Sequence, residues 1–454
     1  MADVAHRIAQ CVFDTYRSLP TNGKPTKRSN GAPQWTVLSS FCLVSADEQD
    51  PVPTVKCISL GTGLKALPHA KLPVHGDVLH DSHAEIIARR GLLLWLYSEL
   101  SKVVAGQQAL VEATRHGAWK LAGGRRLVMY VSTLPCGDAS TWFLAQQAAE
   151  SDIESEGVEL VKCTEGARSG QLAEQLGMST QRDDQASVLQ SKSFVQRGRT
   201  GWSTLSTLRT KPGRLDSPPT TSHSCSDKVL RWQLLGCQGA LLSSLGFEPL
   251  YIDTLVIGGV GMEQRMRVGQ EVGRALWQRG ERAGARSIDI LFCDNRFEHA
   301  RDVVAEAHAC PVQDVVSCQE SLSYVAEAGC EIIVNGIRQG ASTKRRAEQA
   351  LAIKSRSRIS KLSLFERHQK LAARLQAETA GTGSETEAKA YQKTYHQTKQ
   401  TAREYAHRKR ALLNSDGSQD EAPLRGWLVC GVNWESFDQE GRVVSNMTNV
   451  AMHS

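Results

Sequence analysis

The sequence predicts an α/β sandwich, and three stretches carry that expectation. Residues 36–60 (TVLSSFCLVSA, then TVKCISLG) alternate apolar and polar side chains with the two-residue period of strands. After His83, Ile86, Ile87, Leu92, Leu93 and Leu96 recur on a helical repeat. Arg126–Ser132 (RLVMYVS) is the short apolar run of a buried strand. Strand–helix–strand alternation of this kind packs helices onto a sheet as βαβ units.

The elements follow in order. MADVAHRIAQCVFDTY carries Asp3 early and repeats Val4, Ile8, Cys11 and Val12 at helical intervals, which predicts an amphipathic helix rather than a secretory leader. The strands of 36–60 lead into Gly61-Thr62-Gly63-Leu64-Lys65, and a helix over 83–100 follows. The strand 126–132 delivers Cys136 to a helix start. Residues 150–208 turn polar, rich in Ser, Gln, Glu and Gly, without sustained periodicity, and read as a flexible insertion. Regular structure resumes with a helix over 226–245, a strand over Tyr251–Gly258 and another over Glu331–Asn335. A second polar gap at 377–389 precedes a helix from about Ala390 to Leu413. There is no internal repeat. A length of 454 residues accommodates two or three ordinary domains, or one large domain with insertions; the organisation expected is the latter, one domain over 1–454 with its core at about 35–150 and 208–440.

Composition narrows the class. A hydrophobic content of 41% suffices for a core, and no apolar run reaches the ~18 residues of a membrane span. Twelve cysteines without framework spacing indicate reduced thiols and an intracellular protein, cytoplasmic or nuclear. The formal charge of +6 is unevenly spread. Residues 341–410 hold 17 Lys/Arg against 6 Asp/Glu, an excess of +11 that leaves the rest at −5. Such a block is a solvated face or a phosphate-binding surface. Within it, Tyr395 precedes Lys399 and Tyr405 precedes Lys409 by four residues, so on one helix they share about a third of the circumference. Phenols and ammonium groups on one face suit a partly buried polyanion.

The chemistry-bearing motifs are His83-Ala84-Glu85, Leu134-Pro135-Cys136-Gly137 and Ser224-Cys225-Ser226-Asp227-Lys228. One imidazole and two thiolates are the three protein ligands of a catalytic zinc with an exchangeable fourth position. Glu85, two residues from His83, is placed to move protons. Each residue has a plainer role beside this one. Ser82-x-x-Glu85 spells a helix capping box. A single cysteine is more often a small buried hydrophobe, and Cys57, Cys163, Cys237 and Cys430 are available as such.

The blocks DSHAEIIARR (81–90), STLPCGDAS (132–140) and SCSDKVLRWQLLGCQGALLS (224–243) together resemble, in order, the adenosine deaminases that act on RNA. Nucleobase deaminases commonly carry H-x-E with P-C-x-x-C. Here position 139 is Ala, and the second cysteine lies far along the chain, as in that family. The resemblance implies a cytidine-deaminase-like α/β/α sandwich, extended by additional helices enclosing a polyphosphate. It implies hydrolytic deamination of adenosine to inosine, with zinc on His83, Cys136 and Cys225 and with Glu85 as the proton shuttle. The polyphosphate it implies is inositol hexakisphosphate. The matching positions are Arg89, Arg90, Lys228, Arg231, Trp232 and Gln238, continued by Lys361, Tyr395, Lys399, Tyr405, Lys409 and Trp427. Asp81 and Lys228 are placed to link that cavity to the zinc. The chain departs from the family at His223, in the long insertion, at Cys430 where a lysine is expected, and over GVNWESFDQ.

KPGRLD (211–216) and EIIVNGIRQG (331–340) are similar to the tRNA-acting branch of the family, and the family-like region begins near Trp35 without a preceding RNA-binding module. That implies tRNA as partner, alanine tRNA foremost, with the target adenosine immediately 3′ of the anticodon. No membrane and no obligate protein partner are expected. Lys65 is then a phosphate contact near the target, and Lys344, Arg345 and Arg346 reach the tRNA body; by sequence alone each is equally an ordinary exposed base. Rival expectations are an editor of double-stranded RNA, a non-catalytic zinc-containing RNA-binding protein with a closed fourth ligand, and a free-nucleoside deaminase.

Overall fold

A computed structural model describes residues 2–45, 53–143, 195–199, 203–214, 216–342, 344, 349–380, 393–413 and 422–444. Helix α1 (Ala2–Ser18) opens the chain, with Asp3 in its first turn and Arg17 in its last, each favourable to the helix dipole. Strands β1 (Leu38–Ser45) and β2 (Thr54–Thr62) pair antiparallel. The short β3 (Leu64–Ala66) and β4 (Asp81–His83) pair as a separate two-strand ribbon. Gly63 joins β2 to β3 at φ +138°, where a Cβ would lie 2.2 Å from both Ser82 O and Ser321 Oγ. Only glycine fits that close approach.

Helix α2 (Ala84–Val104) follows β4 directly and is apolar nearly all round, as a helix enclosed by protein must be. Leu92, Leu94, Leu96 and Leu100 have no exposed surface, and each such burial stabilises by about 1.5–3 kcal/mol. Then come β5 (Arg126–Val131), a parallel pair β6 (Val195–Arg197) and β7 (Leu208–Thr210), and helices α3 (Cys225–Leu235) and α4 (Gly239–Ser244). Strand β8 (Thr254–Gly258), helix α5 (Arg265–Leu276) and β9 (Asp289–Cys293) precede an antiparallel run of β10 (Ser321–Val325), β11 (Gly329–Val334) and β12 (Ile337–Arg338). Helices α6 (Lys361–Ala380), α7 (Tyr395–Thr401) and α8 (Arg403–Leu413) close the set.

The main sheet has eight strands in the order β9-β8-β5-β1-β2-β10-β11-β12. Its β9, β8 and β5 run parallel and the rest pair antiparallel. Strand alternation divides the core in two. Phe41, Leu43, Leu127, Met129 and Val131 pack toward α2, α3 and α5, whereas Leu38, Cys42, Val44, Val128 and Tyr130 pack toward α1. The protein is therefore a mixed α/β fold with helices on both sheet faces.

Three expectations need correction. The helix predicted over 226–245 is broken, because Gly236 (φ +86°) and Gly239 (φ +69°) leave the helical region between α3 and α4. The helix predicted from Ala390 to Leu413 is two, since Ala402 (ψ +70°) interrupts it and no Gly or Pro marked the break. Ser82 makes no capping box: α2 begins after His83, with no side-chain hydrogen bond at its cap. Residues 150–194 and 200–202 of the expected insertion lie outside the described residues, whereas its far end supplies β6. Every cysteine among the described residues is a free thiol, and none of the described helices is long and apolar enough to cross a membrane.

Candidate active site

The ribbon β3–β4 and the start of α2 place the first motif. The Asp81 carboxylate accepts from His83 N at 3.0 Å and from His83 Nδ1 at 2.8 Å through the same oxygen. With Nδ1 carrying the proton, Nε2 is the bare nitrogen, the arrangement that metal-ligating histidines use. Glu85, in the first turn of α2, is 4% exposed.

The other oxygen of Asp81 gathers cations. It accepts from Lys211 Nζ at 2.8 Å and Ser222 Oγ at 2.7 Å, and Lys228 Nζ also donates to it. Burial alone would raise the Asp81 pKa, but Lys211 and Lys228 hold it well below the carboxylate range. The two ammonium groups share one carboxylate and diverge. Burial lowers the pKa of both, but Asp81 and the two cysteine thiols outweigh it at Lys211 and raise that group. At Lys228 burial prevails and the neighbouring Lys211 adds to it. Lys211 Nζ also lies 3.2 Å from Cys225 Sγ, so one buried lysine touches both the histidine's carboxylate partner and a cysteine.

The two cysteine loops are laced together. Cys225 is the first residue of α3, where Ser224 accepts from Asp227 N and thereby caps the helix. Cys225 N donates to Cys136 Sγ at 3.3 Å, Ser226 N donates to Cys136 O at 3.0 Å, and Ser226 Oγ donates to Cys136 O at 2.9 Å. Behind them, Arg279 binds Asp227 at 2.6 Å and Arg274 binds Asp138 at 2.7 Å. Gly137 turns the Cys136 loop at φ +99°, with Ser224 Oγ only 2.2 Å from where a Cβ would stand. The thiols divide the proton between them. The hydrogen bond with Cys225 lowers the Cys136 pKa to about 6, against its burial and with help from Lys211. Burial first, and then the adjacent Cys136, push Cys225 well up.

Among the described residues no group of three or more His, Cys, Asp or Glu side chains stands at metal-holding geometry. The donor set nevertheless has the chemistry of a zinc site. It offers an imidazole with its far nitrogen fixed by a carboxylate, two adjacent thiols, one of them acidic, and a cation that favours thiolate.

Beyond Asp81 the structure gathers a second set. Arg89 donates to Cys237 O through Nε (2.9 Å) and Nη2 (2.6 Å) and lies over the Trp232 ring. Arg90 donates to Ile359 O at 2.5 Å, and burial brings its pKa down to about 10. Arg231 stacks on Trp427 at 5.2 Å, and Trp427 lies 4.0 Å from the His223 ring, nearly parallel to it. Lys399 binds Glu435 at 2.6 Å. Burial, then Lys399 and Arg231, hold Lys409 down at about 7, and Lys361 and Glu435 also act on it. Tyr405 and Tyr395 both act on Arg89. These residues therefore share one neighbourhood, although α7 and α8 are separate helices. Among the described residues the Lys409 ammonium makes no ion pair. A cation left in that state fits a polyanionic ligand. Gln238 is otherwise occupied: its amide donates to Leu235 O and Ser243 Oγ and accepts from Leu250 N.

The remaining predicted contacts lie apart. Lys65 donates to Ser317 Oγ at 2.8 Å on the ribbon's other face, and Lys344 is exposed. Arg345 and Arg346 lie outside the described residues. Sequence reasoning missed Lys211, His80 and Glu435. Lys211 opens the KPGRLD block, and that similarity is its one signal in the sequence. Among the described residues His80 Nε2 is buried without a hydrogen-bond partner, and after burial itself Lys361 and Arg90 act most strongly to lower its pKa; its place two residues before a motif Ser is the one available signal.

The model of the adenosine-deaminase (editase) domain matches residues 59–428. The chain is 29% identical to a Homo sapiens protein, tRNA-specific adenosine deaminase 1, over 82% of this chain and 89% of that one. It is 26% identical to the Saccharomyces cerevisiae protein of the same name, over 81% and 84%. A third relative, the double-stranded RNA-specific editase Adar of Drosophila melanogaster, is 33% identical over 45% of this chain and 27% of its own length.

Proposed function

This chain belongs to the adenosine-deaminase (editase) family and is a deaminase, and from that premise we propose that it converts adenosine to inosine in tRNA by zinc-dependent hydrolysis. The target we propose is the adenosine immediately 3′ of the anticodon of alanine tRNA. The observation that carries the reading is the convergence on Asp81: one oxygen fixes His83, and the other binds Lys211, which touches Cys225. His83, Cys136 and Cys225 would hold the zinc. When bound, zinc activates water as a nucleophile near neutral pH.

The protein's own residues do the rest. Glu85 takes the proton of the attacking water, passes it to the purine ring nitrogen as C6 becomes tetrahedral, and assists the departure of ammonia. Its burial beside His83 excludes bulk water from that transfer. Asp81 keeps His83 in one tautomer, and Lys211 offsets the thiolate charge. The cationic neighbourhood of Arg89, Arg90, Arg231, Lys399 and Lys409 would enclose inositol hexakisphosphate as a structural ligand, in a cytidine-deaminase-like core. An RNA loop suits such a pocket, because its bases are already accessible and extrusion costs less than from a duplex. The human and yeast relatives are named for tRNA and are matched over most of their length, which favours tRNA over duplex RNA.

The test is to treat an unmodified tRNA pool and a long RNA duplex with the protein and map inosine by sequencing. Conversion concentrated at one adenosine of alanine tRNA is expected. Conversion of the duplex alone would replace the substrate assignment.

A further inference from the structure

The ribbon β3–β4 has two faces. Its register sets Leu64 opposite His83, Lys65 opposite Ser82 and Ala66 opposite Asp81. Cross-strand partners share a face and successive residues alternate between faces. His83 and Asp81 therefore serve the catalytic side. Lys65 and Ser82, with Ala66 at the ribbon's end, line a cleft of about 420 Å³ that none of Glu85, His83, Cys136 or Cys225 lines.

The floor of this cleft is apolar, made by Leu67, Val78, Ile337 and Leu351, a small cluster apart from the two main cores. Its border is polar. Lys65 and Lys71 bring ammonium groups, and Gln319 and Asn335 bring exposed side-chain amides that make no hydrogen bond among the described residues. A slot with an apolar floor and with two amide side chains and two lysines among its lining residues matches a nucleotide. The base lies on the floor, the amides meet its hydrogen-bonding edge, and the cations meet phosphate. The volume falls in the range of small-ligand sites, roughly 300–1,000 Å³.

We propose that the cleft seats the nucleotide next to the target adenosine, with Asn335 and Gln319 reading its base and Lys65 and Lys71 holding its phosphates. The proposal rests on the RNA substrate argued above and adds a source of sequence selectivity to it. Ser82 and His83 are consecutive, so two consecutive nucleotides would straddle the ribbon. The target passes to Glu85 on one face, and its neighbour enters the cleft on the other. Unstacked loop nucleotides can splay in this way.

The experiment uses anticodon stem-loop RNAs in which each neighbour of the target is changed in turn to the other three bases or to an abasic residue. Deamination is measured as kcat/KM for wild type, Asn335→Gly and Gln319→Ala. Glycine is chosen because Asn335 adopts φ +50°, so the turn is kept while the amide is removed. Wild type should discriminate among bases at one neighbour by roughly 5- to 150-fold, the value of a good amide–base contact. In both variants that preference should collapse while the preferred substrate is still converted. Unchanged preferences in both variants, or no preference in wild type, would overturn the proposal. Should wild type deaminate none of these RNAs, the substrate assignment itself fails. The cleft is then judged by Kd: an abasic neighbour should weaken binding to wild type and not to Asn335→Gly, and equal weakening in both would overturn it.

Discussion

Lys211 Nζ lies 2.8 Å from Asp81 Oδ2, with both side chains almost fully buried at 3% and 5% exposure. The pair joins the carboxylate that orients His83 to the lysine beside Cys225. Lys228 and Ser222 reach the same oxygen, so removing Lys211 takes one of two cations from Asp81 and costs less than the about 3–5 kcal/mol of a buried charge left wholly unpaired. Lys211→Met should therefore lower the denaturant midpoint and reduce zinc content as well. A variant with wild-type stability and full metal would show that the pair neither supports the fold nor serves the ligands.

Glu85 is assigned proton transfer and no role in holding metal. Glu85→Gln keeps its size and should lower kcat by about 10²–10⁴-fold, the usual worth of a general acid–base. Zinc per mole of protein should stay at the wild-type value, as read by elemental analysis. Loss of metal in this variant would instead make Glu85 a ligand.

Gly137 stands where the Cys136 loop meets the cap of α3. Alanine there would take φ +99° and drive its Cβ into Ser224 Oγ. Gly137→Ala should cost more than about 1 kcal/mol. It should also weaken zinc retention during chelator challenge, because Ser224 and Cys225 must shift together. Full stability with ordinary retention would contradict the tight lacing of the two cysteine loops.

Lys409 makes a prediction in pH. Its pKa is held down at about 7 in the fold, by burial and then by Lys399 and Arg231, against about 10.5 for a free lysine. Between these values the unfolded chain binds a proton that the folded chain does not, so stability rises with pH across roughly 7 to 10. Below about 7 both states are protonated and the full penalty remains. Protein stripped of polyphosphate should therefore show Tm increasing over that window, and Lys409→Met should flatten the increase. Adding inositol hexakisphosphate to wild type should raise Tm and also flatten the dependence, because an anion restores the ammonium. No response to the polyphosphate would remove it as the ligand of this cluster.

Much of this arrangement was legible in the chain, because local patterns report local structure. The two-residue alternation of 36–60 marked β1 and β2, and the apolar run of 126–132 marked β5. The spacing of His83 and Glu85 put both at the start of α2. What escaped was set by tertiary contact. Lys211 lies 130 positions from its partner Asp81, and nothing local distinguishes it from an exposed lysine. Glu435 lies in a segment without a clear pattern and becomes meaningful only when Lys399 reaches it. The break at Ala402 carries no helix-breaking residue. Ser82 looked like a cap because its spacing to Glu85 is right, yet pairing with Lys65 holds it in β4.

The most direct test of the central claim is single-turnover inosine formation on unmodified alanine tRNA, with zinc-loaded wild type and Glu85→Ala side by side. The account predicts conversion of the one adenosine 3′ of the anticodon by wild type, and none by the variant although it carries the same zinc. Equal conversion by both proteins, or none by folded and metal-loaded wild type, would contradict it.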